Sequence, residues 1–591
     1  MKQVLRYLVL CLGIIATSHL FNSCKPLIQV DESELVTTFE KSDGTETSTY
    51  EEGMQYWKNL TDSYGALKFR KYGMTDAGVP LHAVILSPER IFNPKLIKSK
   101  KKTVILINNA IHPGEPDGIE ASKMLIRDIV QSDSMMKLLK DVVIITIPYY
   151  NVGGAMNRNS TTRANQNGPK EYGFRGNAQN LDLNRDFLKM DSKNAWAFAE
   201  LFHIWDPDVF VDTHVSNGAD YQHVITNLMT QEEKLGQPLG KFQKENIIPE
   251  LNRMMKEKSG QMVPYVHFKG GDPDSGIVQE FDHAYYSTGY TALFHTMGFM
   301  TETHMLKPFK DRVWATYYYL ESLVDIVKDN SGTIRELRSQ TKQSSLDQDL
   351  FVLKWKLNEE QADEIPYWGY RAYQSVSTVT GQEMTFYNRD KPYRQTVSYY
   401  NQYIPEVTVE VPKAYVIPQG WHRVIERLKA NNIEMEQLPV DSTLWVNRYR
   451  IEDMETSHSP YEGHYVHSNT SFTEEQDSIL FRKGDYVISL DQVGRTYLMT
   501  VLEPDCEYSF FNWNFFDAIL QKKEWFSPYV FEPLAKEYLE SDSTLKDEFE
   551  TIKRNNPKFA QDMWAQLKFI HERSPLYEKA HMVYPVFRIE K

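Results

Sequence analysis

The sequence predicts an α/β layered domain with a largely parallel sheet over its first half, and three observations point there. Between about Tyr56 and Asp329, short apolar runs alternate with stretches of helical spacing, the pattern of strands covered by helices. One run, Asp141-Val142-Val143-Ile144-Ile145-Thr146-Ile147-Pro148, is strongly β-branched, as suits a central strand. His112, His214 and Glu302 each fall at the end of a separate strand-like run. In open α/β sheets that is where sites form, beyond the carboxyl ends of the strands.

The chain of 591 residues is too long for one core and suggests about three or four folding units. At 41% hydrophobic and 25% charged, a large core is expected rather than disorder. The net charge is −14, and the one Lys-rich block is Lys98 to Lys102. Without a basic face to displace counterions, nucleic acid is excluded as a partner. Of the three cysteines, Cys11 and Cys24 lie near the N-terminus and Cys506 has no partner, so neither disulfides nor a cysteine metal site are expected.

Lys2 and Arg6 precede an apolar run from Leu8 to Ile15 that continues to Leu20 and Phe21, too short to span a bilayer and typical of a targeting segment. It ends at Phe21-Asn22-Ser23-Cys24. This resembles a bacterial lipoprotein signal over residues 1–24, which implies lipidation of Cys24, although Phe21 stands where leucine is usual. The expectation is an exported protein, periplasmic or at the cell surface, held on the membrane by a lipid anchor. Residues 25–53 are polar and Thr/Ser/Glu-rich and read as a tether.

From there the elements follow in order. Ala83 to Leu86 and Thr103 to Ile107 read as strands, and Gly118 to Val130 as a helix with Ile119, Met124, Leu125, Ile126 and Ile129 on its apolar face. After the β-branched strand comes a Gly/Asn/Arg-rich stretch, 151–179, too long for a passive connection. Leu181-Asp182-Leu183-Asn184-Arg185-Asp186-Phe187 closes it, and a helix with Trp196, Phe198, Leu201 and Phe202 follows. Asp208 to Asp212 is the next strand, leading into Thr213-His214. Gly298 to His304 is another, and a long helix from Lys310 to Lys328 ends the domain near Gly332.

Asn108 to Gly118 organises the whole. Its His112 and Glu115 are a nitrogen and an oxygen ligand three residues apart on a turn at a strand's end, as two corners of a zinc site need. His214 and Glu302 stand at two further strand ends.

In order and spacing, His112-x-x-Glu115, Asp182-Leu183-Asn184-Arg185, His214 and Glu302 resemble the M14 family of zinc carboxypeptidases over residues 55–330. The resemblance implies a three-layer α/β/α sandwich around a mixed, largely parallel eight-stranded sheet, and one Zn²⁺ per chain held by His112, Glu115 and His214. It further implies Glu302 as general base, Asn184 and Arg185 on a substrate's terminal carboxylate, and Arg175 on the scissile carbonyl, with Arg163 and Arg158 competing for that place. A substrate-capping tyrosine has candidates in Tyr285, Tyr286 and Tyr290; Tyr290 is carried forward with Arg163 as substrate-binding. Where the family often has Asn-Pro-Asp-Gly, this chain has Asn151-Val152-Gly153-Gly154. On chemical grounds Asp182 is suited to orient a ligand histidine through its other ring nitrogen. His203 reads as a packed core histidine, and His304, on the same strand face as Glu302, as capping a hydrogen-bond network.

The second half divides at about residue 411. Residues 333–411 show short alternations rich in Tyr, Thr and Val, a β-rich module. Residues 412–591 read as a smaller α/β domain beginning with the strand Ala414 to Pro418, a helix through Val424, Ile425 and Leu428, and a strand from Ile433 to Leu438. Phe510-Phe511-Asn512-Trp513-Asn514-Phe515-Phe516 reads as core. Glu462, His464 and His467 form a metal-like cluster with no strand feeding it, and are expected at the surface.

The expected function is hydrolysis of peptide bonds by a metallopeptidase that releases C-terminal residues from a peptide or peptide-like substrate. The alternatives are an amidohydrolase acting on cell-wall peptides or N-acyl amino acids, and a non-catalytic lipoprotein that captures peptides or glycans.

Overall fold

The structure is a computed structural model that describes residues 32–591; the targeting segment and Cys24 lie outside the described residues. Strands β1 (Leu67–Met74), β2 (Pro80–Leu86), β3 (Thr103–Asn108), β4 (Val142–Ile147), β5 (Val209–Ser216), β6 (Ile225–Met229), β7 (Val263–Pro264), β8 (Ile277–Val278) and β9 (Met297–His304) belong to the first domain. All but β8 make one eight-stranded sheet in the order β1-β2-β4-β3-β5-β9-β6-β7. Its centre, β4-β3-β5-β9, is parallel, with antiparallel neighbours at β2 and β6. This is the mixed, largely parallel sheet the sequence predicts. Every residue of β3, β4, β5 and β9 is buried, which is why β4 carries Val and Ile without alternation.

Helices cover both faces. Asp117–Gln131, Ile248–Lys258 and Phe309–Asp329 pack on one face with Trp57 and Leu60 of the helix Tyr50–Ser63. Lys193–Trp205 and Ser287–Ala292 lie on the other. The apolar cluster on that second face does not stop at the domain's edge. It runs on through Val424, Leu428, Tyr497 and Phe511, so the helix Lys193–Trp205 is covered by the C-terminal domain.

Two predicted boundaries move. Residues 35–53 are no tether: Thr37 and Thr49 each head a helix with a complete capping box, closed by Glu40 and Glu52, and buried Phe39 packs edge-on against Phe309 at 5.6 Å. A reciprocal cap satisfies two orphan N–H groups at once and starts a helix in a polar stretch. The first domain also does not end at residue 332. The helix Ser331–Leu346 follows directly after Asp329, and its buried Arg338 donates to Asp206, Asp208 and the carbonyls of Phe294 and His295.

The β-rich module is β10 (Leu350–Leu357), β11 (Asp363–Val376), β12 (Glu383–Tyr400) and β13 (Tyr403–Glu410), in two sheets. β12 pairs in parallel with β8, joining Tyr399 to Ile277 and Tyr400 to Val278, so the module is stitched to the first domain's wall. The C-terminal domain holds β14 (Ala414–Ile417), β15 (Glu436–Gln437), β16 (Ser442–Thr456), β17 (His467–Phe481), β18 (Tyr486–Ser489) and β19 (Phe587–Ile589), ordered β15-β18-β14-β19-β16-β17. The helix His422–Ala430 crosses from β14 to β15 as the sequence suggests, with β18 inserted between them. Phe510, Phe511, Trp513 and Phe516 are fully buried, the core reading. Cys506 is buried and unpaired, and among the described residues no helix is long and apolar enough to cross a membrane.

Candidate metal centre and substrate cavity

β3 ends at Asn108, and the chain turns through Ala110, at a φ of 59°, into the loop that carries His112 and Glu115. The Glu115 N–H donates to the His112 carbonyl at 2.8 Å, so both side chains leave one tight turn. Two glycines allow the close packing here: a Cβ on Gly118 would lie 2.1 Å from the Thr213 hydroxyl, and one on Gly114 2.4 Å from Arg163 Nε.

Ligand atoms of His112, Glu115 and His214 all lie within 4.8 Å of one another, and all three residues are buried. Nδ1 of His112 is 3.2 Å from Glu115 Oε1, and Nδ1 of His214 is 3.2 Å from Glu115 Oε2. The opposite ring nitrogens face carboxylates. His112 Nε2 is 2.9 Å from Asp182 Oδ1. His214 Nε2 is 3.1 Å from Asp212 Oδ2, an ion-pair distance without hydrogen-bond alignment. Asp212 in turn accepts from Asn108 Nδ2 at 3.1 Å. The set fits zinc: two imidazoles and a carboxylate converge, with both outer nitrogens held by acids that fix the tautomer and raise basicity. Electrostatics agree. Burial opposes charge on His214, yet Asp212, Glu115 and Glu302 raise its pKa well above the usual value, and the same field favours a bound cation. Burial alone would raise the Glu115 carboxyl; Arg163 and His112 overcome it and hold Glu115 well below the carboxylate range. Among the described residues no other three His, Cys, Asp or Glu side chains converge in this way.

Glu302 is the register partner of His214 on the adjacent parallel strand, roughly 4.8 Å away across the ladder. It lines the same cavity. Its Oε2 is buried with no hydrogen-bond partner among the described residues. Burial pushes its carboxyl up to about 8 against the opposing pull of His214.

The cavity measures about 730 Å³ and also exposes Arg163, Arg175, Asn184, Arg185, Tyr265 and Tyr286. Arg163 Nη2 sits 2.5 Å from Glu115 Oε1. Arg175 grips Asp182 through Nε at 2.9 Å and Nη2 at 2.8 Å, and brings Nη1 to 3.4 Å from His112 Nδ1. Arg158 takes no part, since it donates to the carbonyls of Thr47, Ser48 and Glu171. Asn184 Oδ1 accepts from the Ser287 N–H at 3.1 Å. The Arg185 guanidinium lies 4.6 Å from the Tyr286 ring centre.

Tyr290 is a correction. It is buried, its hydroxyl donates to Asn431 Oδ1 at 2.6 Å and meets His203 Nε2 at 3.1 Å, and it packs among Phe187, Phe198 and Phe202. A six-residue helix beginning at Ser287 turns Tyr290 to the core and leaves Tyr286, just before it, facing the cavity. The same contact makes His203 the packed histidine expected of it. His304 bonds the Ala219 carbonyl at 2.9 Å, away from the chemistry. Glu462, His464 and His467 do not form a cluster, nor are they simply surface residues: Glu462 accepts from the Asp182 N–H at 2.8 Å, His464 pairs with Asp191 at 2.7 Å, and His467 is buried beside Asp517. Sequence reasoning missed Asp212 and Tyr461, and it named Glu462 only as part of a metal-like cluster. Asp212 had a signal, because two residues before His214 on a strand shares its face; nothing local to Tyr461 or Glu462 signalled a contact with Arg185 or Asp182.

Residues 54–287 match the family model described as zinc carboxypeptidase, Peptidase M14. The Carboxypeptidase 2 of Trichophyton rubrum is 20% identical over 484 residues, 78% of this chain and 83% of its own. That span is too long to fit within the first domain. Solved structures with similarity include a metallo-carboxypeptidase from Burkholderia cenocepacia, 15% identical with a TM-score of 0.36 over 48% of this chain and 70% of that one. Another is a Pseudomonas aeruginosa metallo-carboxypeptidase in complex with (2-guanidinoethylmercapto)succinic acid, 13% identical with a TM-score of 0.37, over 49% and 70%. The buried His-Glu-His set thus lies within the stretch of the first domain that matches the zinc carboxypeptidase family model, Peptidase M14.

Proposed function

We propose that the protein removes C-terminal residues from peptides. His112, Glu115 and His214 would hold the zinc. Bound there, zinc supplies Lewis acidity that polarises a carbonyl and makes water acidic near neutral pH.

The chain's own residues account for the rest. Glu302 takes the proton of the attacking water and delivers it to the leaving amine, the work of a positioned general base and then acid. Burial, which raises its pKa, makes the carboxylate a stronger base for that proton. Arg175, with Nη1 pointing at the histidine set, offers a fixed cation to the oxygen that becomes charged in the transition state; Arg163 stands beside it, engaged with Glu115. Arg185 presents a guanidinium to a terminal carboxylate, which a lysine could not match in geometry, and Asn184 lines the cavity next to it.

The observation that carries this reading is Glu302: a buried carboxylate oxygen without a hydrogen-bond partner among the described residues, one strand across from a candidate ligand. Dialysis against a strong zinc chelator should abolish hydrolysis and Zn²⁺ should restore it. Peptides with free C-termini should be cleaved and their C-terminal amides spared; equal cleavage of both would remove the role given to Arg185. Export with a lipid on Cys24 belongs to the same reading. It is tested by incorporation of labelled fatty acid, lost in Cys24→Ser.

A further inference from the structure

The hairpin of β16 and β17 ends in the turn Tyr461-Glu462-Gly463-His464, closed by Tyr461 and His464 exchanging backbone hydrogen bonds of 2.8 and 3.0 Å. Both central residues have positive φ, 48° at Glu462 and 84° at Gly463. Tight hairpin turns of this kind favour Asn, Asp or Gly, and glutamate is an unfavourable choice for the first position. A strained residue is worth reading for function, and here the side chain supplies the reason. Glu462 Oε2 accepts the Asp182 N–H at 2.8 Å, and the neighbouring Tyr461 hydroxyl accepts from Arg185 Nε at 2.8 Å. One turn of the C-terminal domain thus holds both ends of Asp182–Arg185, the loop whose Asp182 carboxylate meets His112.

The turn is itself buttressed. Tyr461 stacks on buried Trp513, with ring centres 6.2 Å apart and planes 15° from parallel. His464 packs edge-on against the same indole at 5.5 Å and pairs with Asp191, which also binds Lys189 and Arg427. The aromatic block and the histidine loop of the second half therefore meet behind Arg185. With Nε on Tyr461, Nη1 on the Asn184 carbonyl at 3.0 Å and its face on Tyr286, the guanidinium is fixed from three directions.

We propose that the C-terminal domain is a working part of the active site: Tyr461 and Glu462 position Arg185 and its loop to receive the carboxylate of a peptide substrate. The inference rests on the carboxylate role proposed above for Arg185. Both are positioning residues, so the readout is substrate affinity rather than the chemical step.

The test uses the full chain and a peptide with a free C-terminus. Tyr461→Phe keeps the ring stack and loses one hydrogen bond to a charged group. It should raise KM roughly 3- to 10-fold with kcat changed by less than about twofold. Glu462→Gly removes the acceptor while placing the residue best suited to positive φ. It should raise KM while Tm stays level or rises, and Glu462→Gln, which keeps an acceptor oxygen, should return KM close to that of the parent protein. Wild-type KM in both Tyr461→Phe and Glu462→Gly overturns the inference. Arg185→Ala separates the two levels: if it raises KM and the turn variants do not, the inference alone falls; if it too leaves KM unchanged, the carboxylate reading falls and takes the turn's role with it.

Discussion

His112, Glu115, His214 and Glu302 rise from strand ends of a single sheet, whereas Asn184 and Arg185 stand on a loop whose support comes from a hairpin 280 residues further along the chain. The first group takes its precision from the sheet: His214 and Glu302 are register partners within β5 and β9, and His112 and Glu115 leave one tight turn just beyond β3, so His214 and Glu302 cannot shift unless the sheet does. The second group sits on a three-residue 3-10 turn, Leu183–Arg185, too short to hold itself rigid. A site can take its chemistry from one domain and its grip on substrate from another, and the two halves then answer differently to mutation.

The largest expected effect lies on the sheet side. Glu302→Gln should keep stoichiometric zinc by metal analysis and lower kcat by about 10² to 10⁴. Loss of zinc in that variant would make Glu302 a ligand and merge two roles kept apart here. Arg175→Ala should lower kcat by about 10² to 10³, measured under saturating peptide. A comparable loss in Arg163→Ala with zinc intact would move the carbonyl-facing role to Arg163; loss of zinc instead would assign Arg163 to holding Glu115 in place.

The two carboxylates behind the histidines sharpen the comparison further. Asp212 is engaged with sheet residues, His214 and Asn108; Asp182 touches His112, Arg175 and, through its backbone, Glu462. Replacing either by alanine should weaken zinc binding about 10- to 100-fold in competition with a chelator. With zinc saturating, Asp212→Ala should retain its KM, while Asp182→Ala should show a raised KM because the carboxylate loop loosens with it. Identical KM values in the two variants would erase the distinction between the two sides.

The sheet side was legible in the sequence because an apolar run marks where a strand stops, and His112, His214 and Glu302 sit at three such stops. The grip side was legible only as residue types. Nothing local to Tyr461 or Glu462 announces a contact with Arg185 or Asp182, since long-range pairing leaves no trace in composition or period. Tyr290 went astray for a different reason: in a helix of six residues, which tyrosine faces the cavity depends on where the first turn begins, and one residue of uncertainty at a helix start rotates every side chain by about 100°. The boundary at residue 332 failed because Asn330-Ser331-Gly332 resembles a linker, yet the chain resumes a helix at once.

The segment before the first strand gives the smallest effect and the cleanest check on that lesson. Its composition says tether, while its spacing, Thr37 to Glu40 and Thr49 to Glu52, says two helix starts, and the spacing is what the fold obeys. The helix headed by Thr49 buries Trp57 and Leu60 under the sheet, and just before it Thr47 and Ser48 donate to the buried Glu120 carboxylate at 2.8 and 3.0 Å. Burial there would raise the Glu120 carboxyl, but Lys123 and these donors hold it below its usual value, so the segment also compensates a charge on the helix that follows the metal-binding turn. Thr49→Ala removes one cap and should cost about 1 kcal/mol, seen as a fall in Tm of roughly 2–4 °C in a domain of this size, with kcat and zinc content unchanged. A true tether would show no change in Tm at all, and a fall in zinc content would tie this segment to the metal-binding turn more closely than its hydrogen bonds do.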